Sequence, residues 1–152
     1  MWKIVTAVVL VFAITGLAVY VNSCPCERVP GLWLTGTEVA EPQEDWSFVN
    51  DVGLCELEVR SWRAHSITLN CMSSQGDLFV SCSRCEGKYW SGVALENPAG
   101  VLRIGRRLYP VSLARITDPN ELDRAWQARA AKLKRDDVDR PDHWWTFQLA
   151  SR

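Results

Sequence analysis

The sequence has only two histidines and almost equal numbers of acidic and basic side chains, which argues against several classes of function. Its 152 residues include 17 basic and 18 acidic side chains, for a formal net charge of −1. A balanced chain lacks the strongly basic character typical of nucleic-acid binders, so no nucleic-acid partner is expected. No G-x-S-x-G motif occurs, which leaves a hydrolase of the nucleophile-elbow type unsupported. The residue after Cys82-x-x-Cys85 is Glu86, whereas covalent c-type haem attachment requires histidine there.

Charge is also missing from one long stretch near the amino terminus. Residues 4–22 contain no charged side chain, and as a helix they would be roughly 28 Å long, against a hydrocarbon core of about 30 Å. Bulky Tyr20 and Val21 make a poor site for signal-peptide cleavage. We therefore expect residues 1–23 to be a retained, single-pass membrane anchor. A cleaved signal and a lipoprotein-type processing site at Cys24 remain open alternatives.

The charges that flank this apolar stretch favour one orientation in the membrane. Lys3 and the amino terminus precede it, while Glu27 and Arg28 cancel after it. Positive charge is retained on the cytoplasmic side, so the globular part is expected to be extracytoplasmic, in the periplasm or outside the cell. That compartment permits disulfides.

Six cysteines are many for a chain of this length, and they stand at positions 24, 26, 55, 71, 82 and 85. In an oxidising compartment we expect Cys82 and Cys85 to form a disulfide, either with each other or with other cysteines. Cys55 and Cys71 alternate with polar residues in strand-like segments, so they are expected to point inward as small core residues.

Two other uses of these cysteines stay open. Cys82-x-x-Cys85 at a strand-to-helix corner is compatible with a thiol–disulfide enzyme, because the amino end of a helix lowers a thiol pKa. Together with Cys24 and Cys26, the pair would also supply four thiolates for zinc. The spacing of Cys24 and Cys26 is tight for such a site, so no metal is predicted.

Alternating apolar and polar residues predict that strands dominate the rest of the chain. Residues 55–61 and 66–72 both alternate, and a third strand after the next turn predicts a hairpin across residues 65–82. Residues 144–150 alternate as a closing strand. Few helices accompany these strands, which favours a small antiparallel barrel over a parallel sheet.

Two helices are predicted beside the strands. A short one covers residues 86–96. The clearer one begins after Asp118, which can cap it, with Pro119 at the first helical position and Glu121 completing a capping box. Both helices are expected at the periphery of the barrel.

Residues 24–44 are rich in proline and glycine and lack a sustained period, so they are expected to be a tether with little regular structure. The chain therefore divides into an anchor at 1–23, a tether at 24–44 and a barrel at 45–152.

Eight tryptophans are available to fill a small core. Trp2 suits a membrane interface, and Trp33 is a second candidate for it. The other positions expected to pack in the barrel and its helix contacts are Trp46, Trp62, Trp90, Trp126 and Trp145.

The order of several motifs resembles the pyridoxamine 5′-phosphate oxidase-like, FMN-binding split β-barrel family, in particular its small membrane-anchored relatives. The stretches that carry the resemblance are "VPGLWLTG", "DWSFVNDV", "HSITLNC", "GDLFVSC", "KYW", "ENPAGVLRIGRRLYPVSLARITDP" and "WWTFQL". The resemblance implies a mainly β fold, a small antiparallel split β-barrel with one or two peripheral helices. It also implies FMN as cofactor and a homodimer, while similar barrels bind deazaflavin, haem or nothing.

In that family, polar and basic side chains on the second and third strands hold the flavin phosphate. Carried onto this chain, the resemblance implies that Arg84 and Lys88 are the phosphate cations and that Trp90 covers the ring system. The polar candidates on the two strands are His65, Ser66, Thr68, Ser81 and Ser83. A phosphate requires converging donors and positive charge, and residues 84–88 offer both. No catalytic residue is assigned.

Three functions follow from these observations. The first is a membrane-anchored flavin-binding barrel, which would be an oxidoreductase acting on an unknown small substrate. The second is a non-catalytic barrel that serves as an accessory or interaction subunit of a membrane complex. The third is a thiol–disulfide redox protein that uses Cys82 and Cys85.

Overall fold

The computed structural model describes residues 2–22, 30–136 and 139–152. Its helices are α1 (Trp2–Asn22), α2 (Tyr89–Glu96) and α3 (Pro119–Leu133), with short 3₁₀ helices at Ser47–Asp51 and Cys85–Gly87. Its strands are β1 (Thr37–Glu38), β2 (Cys55–Arg60), β3 (Ala64–Leu69), β4 (Cys71–Ser74), β5 (Asp77–Ser83), β6 (Ala99–Ile104), β7 (Arg107–Arg115) and β8 (Trp144–Ser151).

The strands form one curved sheet in the order β3-β2-β6-β7-β8-β5-β4, and β1 pairs with β7 outside this path. Every pairing along the path is antiparallel, whereas β1 runs parallel to β7. The inward faces enclose a core that includes Leu57, Val80, Leu102 and Phe147, all fully buried. The predicted fold class, a mainly β split barrel with one or two peripheral helices, is confirmed, and the segment predicted to cross the membrane is a long apolar helix.

The predicted hairpin across residues 65–82 is partly wrong. The alternating segment 66–72 is divided at Asn70, where β3 ends and β4 begins. β3 pairs with β2, and only β4 pairs with β5. An alternating pattern continues through such a change of partner, because both strands turn the same set of side chains towards the core.

The cysteines form two disulfides in the described part of the chain. Cys82 is bonded to Cys85, with the two Cα atoms 5.6 Å apart. Cys55 and Cys71 lie in the core as predicted, but they are bonded to each other, with a Cα–Cα distance of 5.9 Å. Two inward-facing positions near the ends of β2 and β4 are close enough for this bond.

The alternative zinc site and the alternative processing site at Cys24 involve Cys24 and Cys26, which lie outside the described residues. Among residues 2–22, 30–136 and 139–152, no group of three or more histidine, cysteine or acidic side chains is arranged to hold a metal ion.

The segment before the barrel crosses the outer face of the sheet. Gly31 exchanges two backbone hydrogen bonds with Ser66 of β3. The Leu34 N–H donates to a carboxylate oxygen of Glu58 at 2.6 Å, and Glu58 is 1% exposed. A buried carboxylate requires such donors, so this bond fastens the segment to β2. The segment assigned as a tether thus contacts the barrel from Gly31 onward.

Helix α3 begins as its sequence predicts. Asp118 accepts a hydrogen bond from the Glu121 N–H at 3.0 Å, and Pro119 is the first helical residue. The carboxylate of Glu121 pairs with Arg124 in the next turn, so its predicted use in a capping box gives way to an ion pair. Farther along, Lys132 donates to the carbonyl of Val49 at 2.8 Å and ties α3 to the barrel.

Removal of the Cys55–Cys71 disulfide should destabilise the fold more than removal of Cys82–Cys85. The two bonds close sequence separations of 16 and 3 residues, which correspond to stabilisation of about 3 and about 2 kcal/mol through the unfolded chain. Paired alanine variants, unfolded with guanidinium in detergent, measure the difference. An equal loss in the two variants would contradict this ranking.

Candidate functional site

A cavity of about 510 Å³ lies between the β2–β3 turn (residues 61–63) and the start of α2. We call it the α2 cavity, and its lining residues are Ser61, Trp62, Glu86, Gly87, Lys88, Tyr89, Gly92, Val93 and Glu96. Lys88 supplies a positive charge to it, and Glu86 and Glu96 supply negative charge. The cavity is shallow and widely open to solvent.

Contacts to Tyr89 hold the two walls of this cavity together. Its hydroxyl is 2.8 Å from Ser61 Oγ, a hydrogen bond that joins α2 to the β2–β3 turn. The His65 ring lies edge-on to the Tyr89 ring at 4.9 Å. The Arg63 guanidinium lies 5.9 Å from the centre of the same ring. His65 and Arg63 therefore contact a lining residue of the α2 cavity, Tyr89, without lining the cavity themselves.

The corner before α2 determines where Lys88 lies. The Lys88 N–H donates to the Cys85 carbonyl at 2.9 Å, and Lys88 is the residue that precedes the first helical turn. Ser91 Oγ donates to the Lys88 carbonyl at 2.9 Å, which fixes that turn from within. An anion beside Lys88 would lie at the amino end of an eight-residue helix, where the helix dipole favours negative charge.

His65 lies in an environment that disfavours its charged form. Burial lowers the pKa of His65 below its usual value, and the positive charge of Arg63 lowers it further. A neutral imidazole still has one N–H to donate. An anion bound next to it would oppose both effects and raise its pKa.

A second cavity, of about 430 Å³, lies on the other side of Glu86 and Gly87. We call it the Arg84 cavity; Asp142, His143 and Trp145 also line it. The Arg84 N–H donates to the His143 carbonyl at 3.1 Å. Arg84 has a backbone φ of 52°, in the left-handed region that a non-glycine residue seldom adopts.

Structural comparison identifies the fold. A candidate 5-nitroimidazole antibiotic resistance protein from Bacteroides thetaiotaomicron superposes with a TM-score of 0.58 at 8% identity, covering 86% of this chain and 92% of that one. A candidate pyridoxamine 5′-phosphate oxidase from Listeria innocua gives a TM-score of 0.56 at 9% identity, covering 69% and 88%. An FAD-binding protein from Mesorhizobium loti gives 0.51 at 12% identity, covering 68% and 84%.

The chain has the split β-barrel fold of the pyridoxamine 5′-phosphate oxidase-like proteins. No protein-family model and no curated protein matches its sequence. At these identities the likeness shows the fold alone.

The split barrel does not bring Arg84 and Lys88 to one pocket. Lys88 lines the α2 cavity, whereas Arg84 lines the Arg84 cavity. The expectation that both are cations for the same phosphate is therefore not met within one chain. The reason is local: Cys85–Gly87 forms a 3₁₀ turn, and the left-handed backbone at Arg84 directs the chain away from it.

Strand geometry also separates the polar candidates on β3. Successive side chains on a strand point to opposite faces. Ile67 packs against the core, so His65 shares the inner face with it, while Ser66 and Thr68 share the outer face. Ser66 is fully buried opposite Glu58, beneath the segment that contains Gly31.

On β5 the two serine candidates share one face. Ser81 is 7% exposed, and its hydroxyl is 3.1 Å from that of Thr146 on β8. Ser83 lies opposite Trp144 at the end of the same strand pair. Neither serine lines the α2 cavity or the Arg84 cavity.

Two expectations were given for Trp90, packing in the barrel and covering a bound ring system, and its position agrees with the first and not with the second. Its side chain is 3% exposed and packs against Phe147 with ring centres 5.3 Å apart. A side chain at this depth reaches a ligand only if the core opens. Trp90 is a core residue that anchors α2, and the aromatic side chains that do line the α2 cavity are Trp62 and Tyr89.

Of the eight predicted site residues, Lys88 lines the α2 cavity and His65 contacts Tyr89, the lining residue that follows Lys88. Sequence reasoning missed Ser61 and Tyr89. Tyr89 follows Lys88 directly in the sequence, so its place beside a predicted site residue could have marked it as a candidate. The Ser61 contact depends on how the β2–β3 turn packs against α2, which the sequence does not show.

The pH dependence of stability tests the environment of His65. Its folded-state pKa lies below 6.5, so as the pH falls the unfolded chain binds the proton first and the folded state loses stability below about pH 6.5. The free energy of unfolding should fall more between pH ~7 and ~5 in the wild type than in His65→Gln. His143→Gln, in the Arg84 cavity, is the matched control. Equal pH slopes for wild type and His65→Gln would contradict the burial of this ring.

Proposed function

We propose that the protein is a membrane-anchored split barrel that binds a flavin of the FMN type, with the phosphate in the α2 cavity beside Lys88. The observation that carries the proposal is the position of Lys88 and the amino end of α2 at this cavity, with the ring of the inner-face His65 against Tyr89, one of the lining residues. A phosphate is bound by this combination of a cation, a helix amino end and a neutral N–H donor.

Side chains of both charges line the α2 cavity and act in opposite directions on a flavin phosphate. Lys88 supplies the attraction, while Glu86 and Glu96 in the same cavity oppose it. The cavity volume of about 510 Å³ accommodates a ligand of cofactor size. The solved neighbour from Mesorhizobium loti is an FAD-binding protein, which supports a flavin over other anionic ligands.

A bound flavin would supply hydride and electron transfer. The residues of this chain would bind and orient it: Lys88 would neutralise phosphate charge, His65 would donate its ring N–H, and Tyr89 would keep both walls of the cavity in place. The family resemblance suggests that a second copy completes the site in a homodimer.

The location of the protein is part of the same proposal. Helix α1 contains a 19-residue window, Trp2–Tyr20, with a mean hydropathy of 2.2 and no burial against the barrel, and it is long enough to cross a bilayer. Two disulfides in the barrel favour an oxidising compartment. We infer that α1 is retained as an anchor and that the barrel is extracytoplasmic.

One alternative function has an observation in its favour. The two acidic side chains in the α2 cavity and the separation of Arg84 from Lys88 reduce the positive charge available to a phosphate. A barrel with a weakened cofactor site would suit a non-catalytic subunit of a membrane complex. The thiol–disulfide alternative has less support, because Cys82 is 4% and Cys85 0% exposed and an exchange partner needs access to sulfur.

Titration with FMN tests the proposal. FMN should bind the purified full-length protein with quenching of flavin fluorescence, and Lys88→Ala should weaken binding by about tenfold or more, the usual effect of losing a charged hydrogen-bond partner. Arg84→Ala, in the other cavity, is the matched control and should change affinity little.

Riboflavin, which lacks the phosphate, separates the phosphate contact from ring binding. Its affinity should be insensitive to Lys88→Ala. Failure of the wild type to bind either compound would reject flavin binding and favour the accessory role. Loss of FMN affinity in Arg84→Ala alone would move the phosphate to the Arg84 cavity.

A further inference from the structure

Two residues of α2 go against the preferences of a helix, and both line the α2 cavity. The first is Gly92, in the interior of the helix, where glycine is less stable than alanine. A Cβ atom added there would meet no atom within 4 Å apart from the backbone of its own helix, and the backbone angles do not require glycine. Packing within the described chain therefore does not explain this glycine, which leaves the floor of the cavity open.

The second is Glu96, the last residue of α2. The helix dipole disfavours a carboxylate at the carboxyl end of a helix, and the last turn of α2 contains no basic residue. No arginine or lysine among the described residues forms an ion pair with Glu96. Residues that break a local preference without a compensating contact are typical of functional sites. A positively charged ligand would supply a partner for this carboxylate.

An exposed tryptophan lines the same cavity. Trp62, which the sequence predicts to pack in the core, is 82% exposed. Indole attracts cations to the negative face of its π system more strongly than the rings of tyrosine and phenylalanine do. The Arg63 guanidinium lies over the Trp62 ring at 4.8 Å from its centre, which is a contact of this kind. Because Arg63 is not a lining residue and covers one face of the ring, the other face is available to a ligand.

Two hydrogen bonds hold the turn that contains Trp62 along the length of α2. The Ser61 and Tyr89 hydroxyls are 2.8 Å apart at the amino end of the helix. At the carboxyl end, Asn97 Nδ2 donates to the Arg60 carbonyl at 2.9 Å. The turn is thus fixed near both ends of α2, and the cavity lies between these contacts.

We propose that Glu96, Trp62 and Gly92 form a subsite for a small organic ammonium ion, which we call the Glu96 subsite. The carboxylate neutralises the ammonium charge, the indole face attracts it, and the glycine leaves room for the carbon skeleton. An eight-residue helix is about 12 Å long, so roughly this distance separates the subsite from Lys88 at the other end of α2.

The Glu96 subsite adds a class of substrate to the proposed function. It would hold the cationic group of an amine, while Lys88 holds the flavin phosphate. In this role the subsite rests on the proposed flavin binding, although an ammonium ion can bind to it without flavin. The charges of the cavity lining agree with a cationic ligand, because two carboxylates and one lysine line the α2 cavity.

Titration with benzylammonium, and with benzyl alcohol as its uncharged isostere, tests the subsite. Each compound is added to the full-length protein in detergent at neutral pH, and the Trp62 indole and Gly92 amide resonances report binding. Glu96→Gln should weaken benzylammonium binding about fivefold, the effect of losing an ion pair at an open site, and should leave benzyl alcohol binding unchanged. Glu86→Gln, the same change at the other end of the cavity, is the matched control and should have little effect. Equal losses in the two variants, or equal affinities of the wild type for the two compounds, would overturn the subsite.

Gly92→Ala tests the floor of the subsite with two readouts of opposite sign. Alanine should raise the melting temperature by a few degrees, because it stabilises the interior of the helix. The same methyl group should weaken benzylammonium binding, because it occupies the space left for the ligand. A more stable variant with unchanged affinity would contradict the placement of the ligand over Gly92.

FMN titration of the same variants separates this proposal from flavin binding. Benzylammonium binding that depends on Glu96, without FMN binding, keeps the subsite and rejects the flavin. FMN binding that depends on Lys88, without a preference for the ammonium ion over benzyl alcohol, keeps the flavin and rejects the subsite. Absence of both kinds of binding rejects both.

Discussion

The corner between β5 and α2 is the constraint on which the candidate site depends. The Cys82–Cys85 disulfide closes it, and the Lys88 N–H donates to the Cys85 carbonyl. Trp90 then fixes the first turn of α2 in the core. Because the helix start is held in this way, Lys88 is at the edge of the cavity and the first helical residue faces the β2–β3 turn. The CxxC motif is best explained as the clamp that positions this cation.

Much of the fold could be predicted from the sequence, because each element had a local signal. Alternation indicated β2 and β8, and the Asp118 cap with Pro119 indicated the start of α3. The break between β3 and β4 at Asn70 had no such signal, because the alternation of core-facing and outward-facing residues continues across it. The Cys55–Cys71 bond likewise depends on the register between strands, which residue spacing alone does not determine.

The candidate site was less predictable than the fold, and strand geometry explains why. The family resemblance points to site residues by the strand on which they lie. Adjacent residues on a strand point to opposite faces of the sheet, so His65 and Ser66 cannot converge on one ligand. Arg84 and Lys88 are four residues apart but are separated by the 3₁₀ turn. Trp90 is buried as a core residue, whereas Trp62, which was also expected in the core, is exposed, because burial depends on where α2 packs and the composition of a single segment does not show that. What remains is a smaller candidate site, in which Lys88 lines the α2 cavity and His65 contacts the neighbouring Tyr89.

Ligand binding between the β2–β3 turn and α2 is tested most directly by an amide chemical-shift map of the full-length protein in detergent, recorded with FMN and with riboflavin. FMN should shift the amide resonances of Ser61, Lys88, Tyr89 and Gly92, and riboflavin should shift those of Lys88 and Tyr89 much less. Shifts centred on Arg84 and His143, or no shifts with either compound, would contradict it.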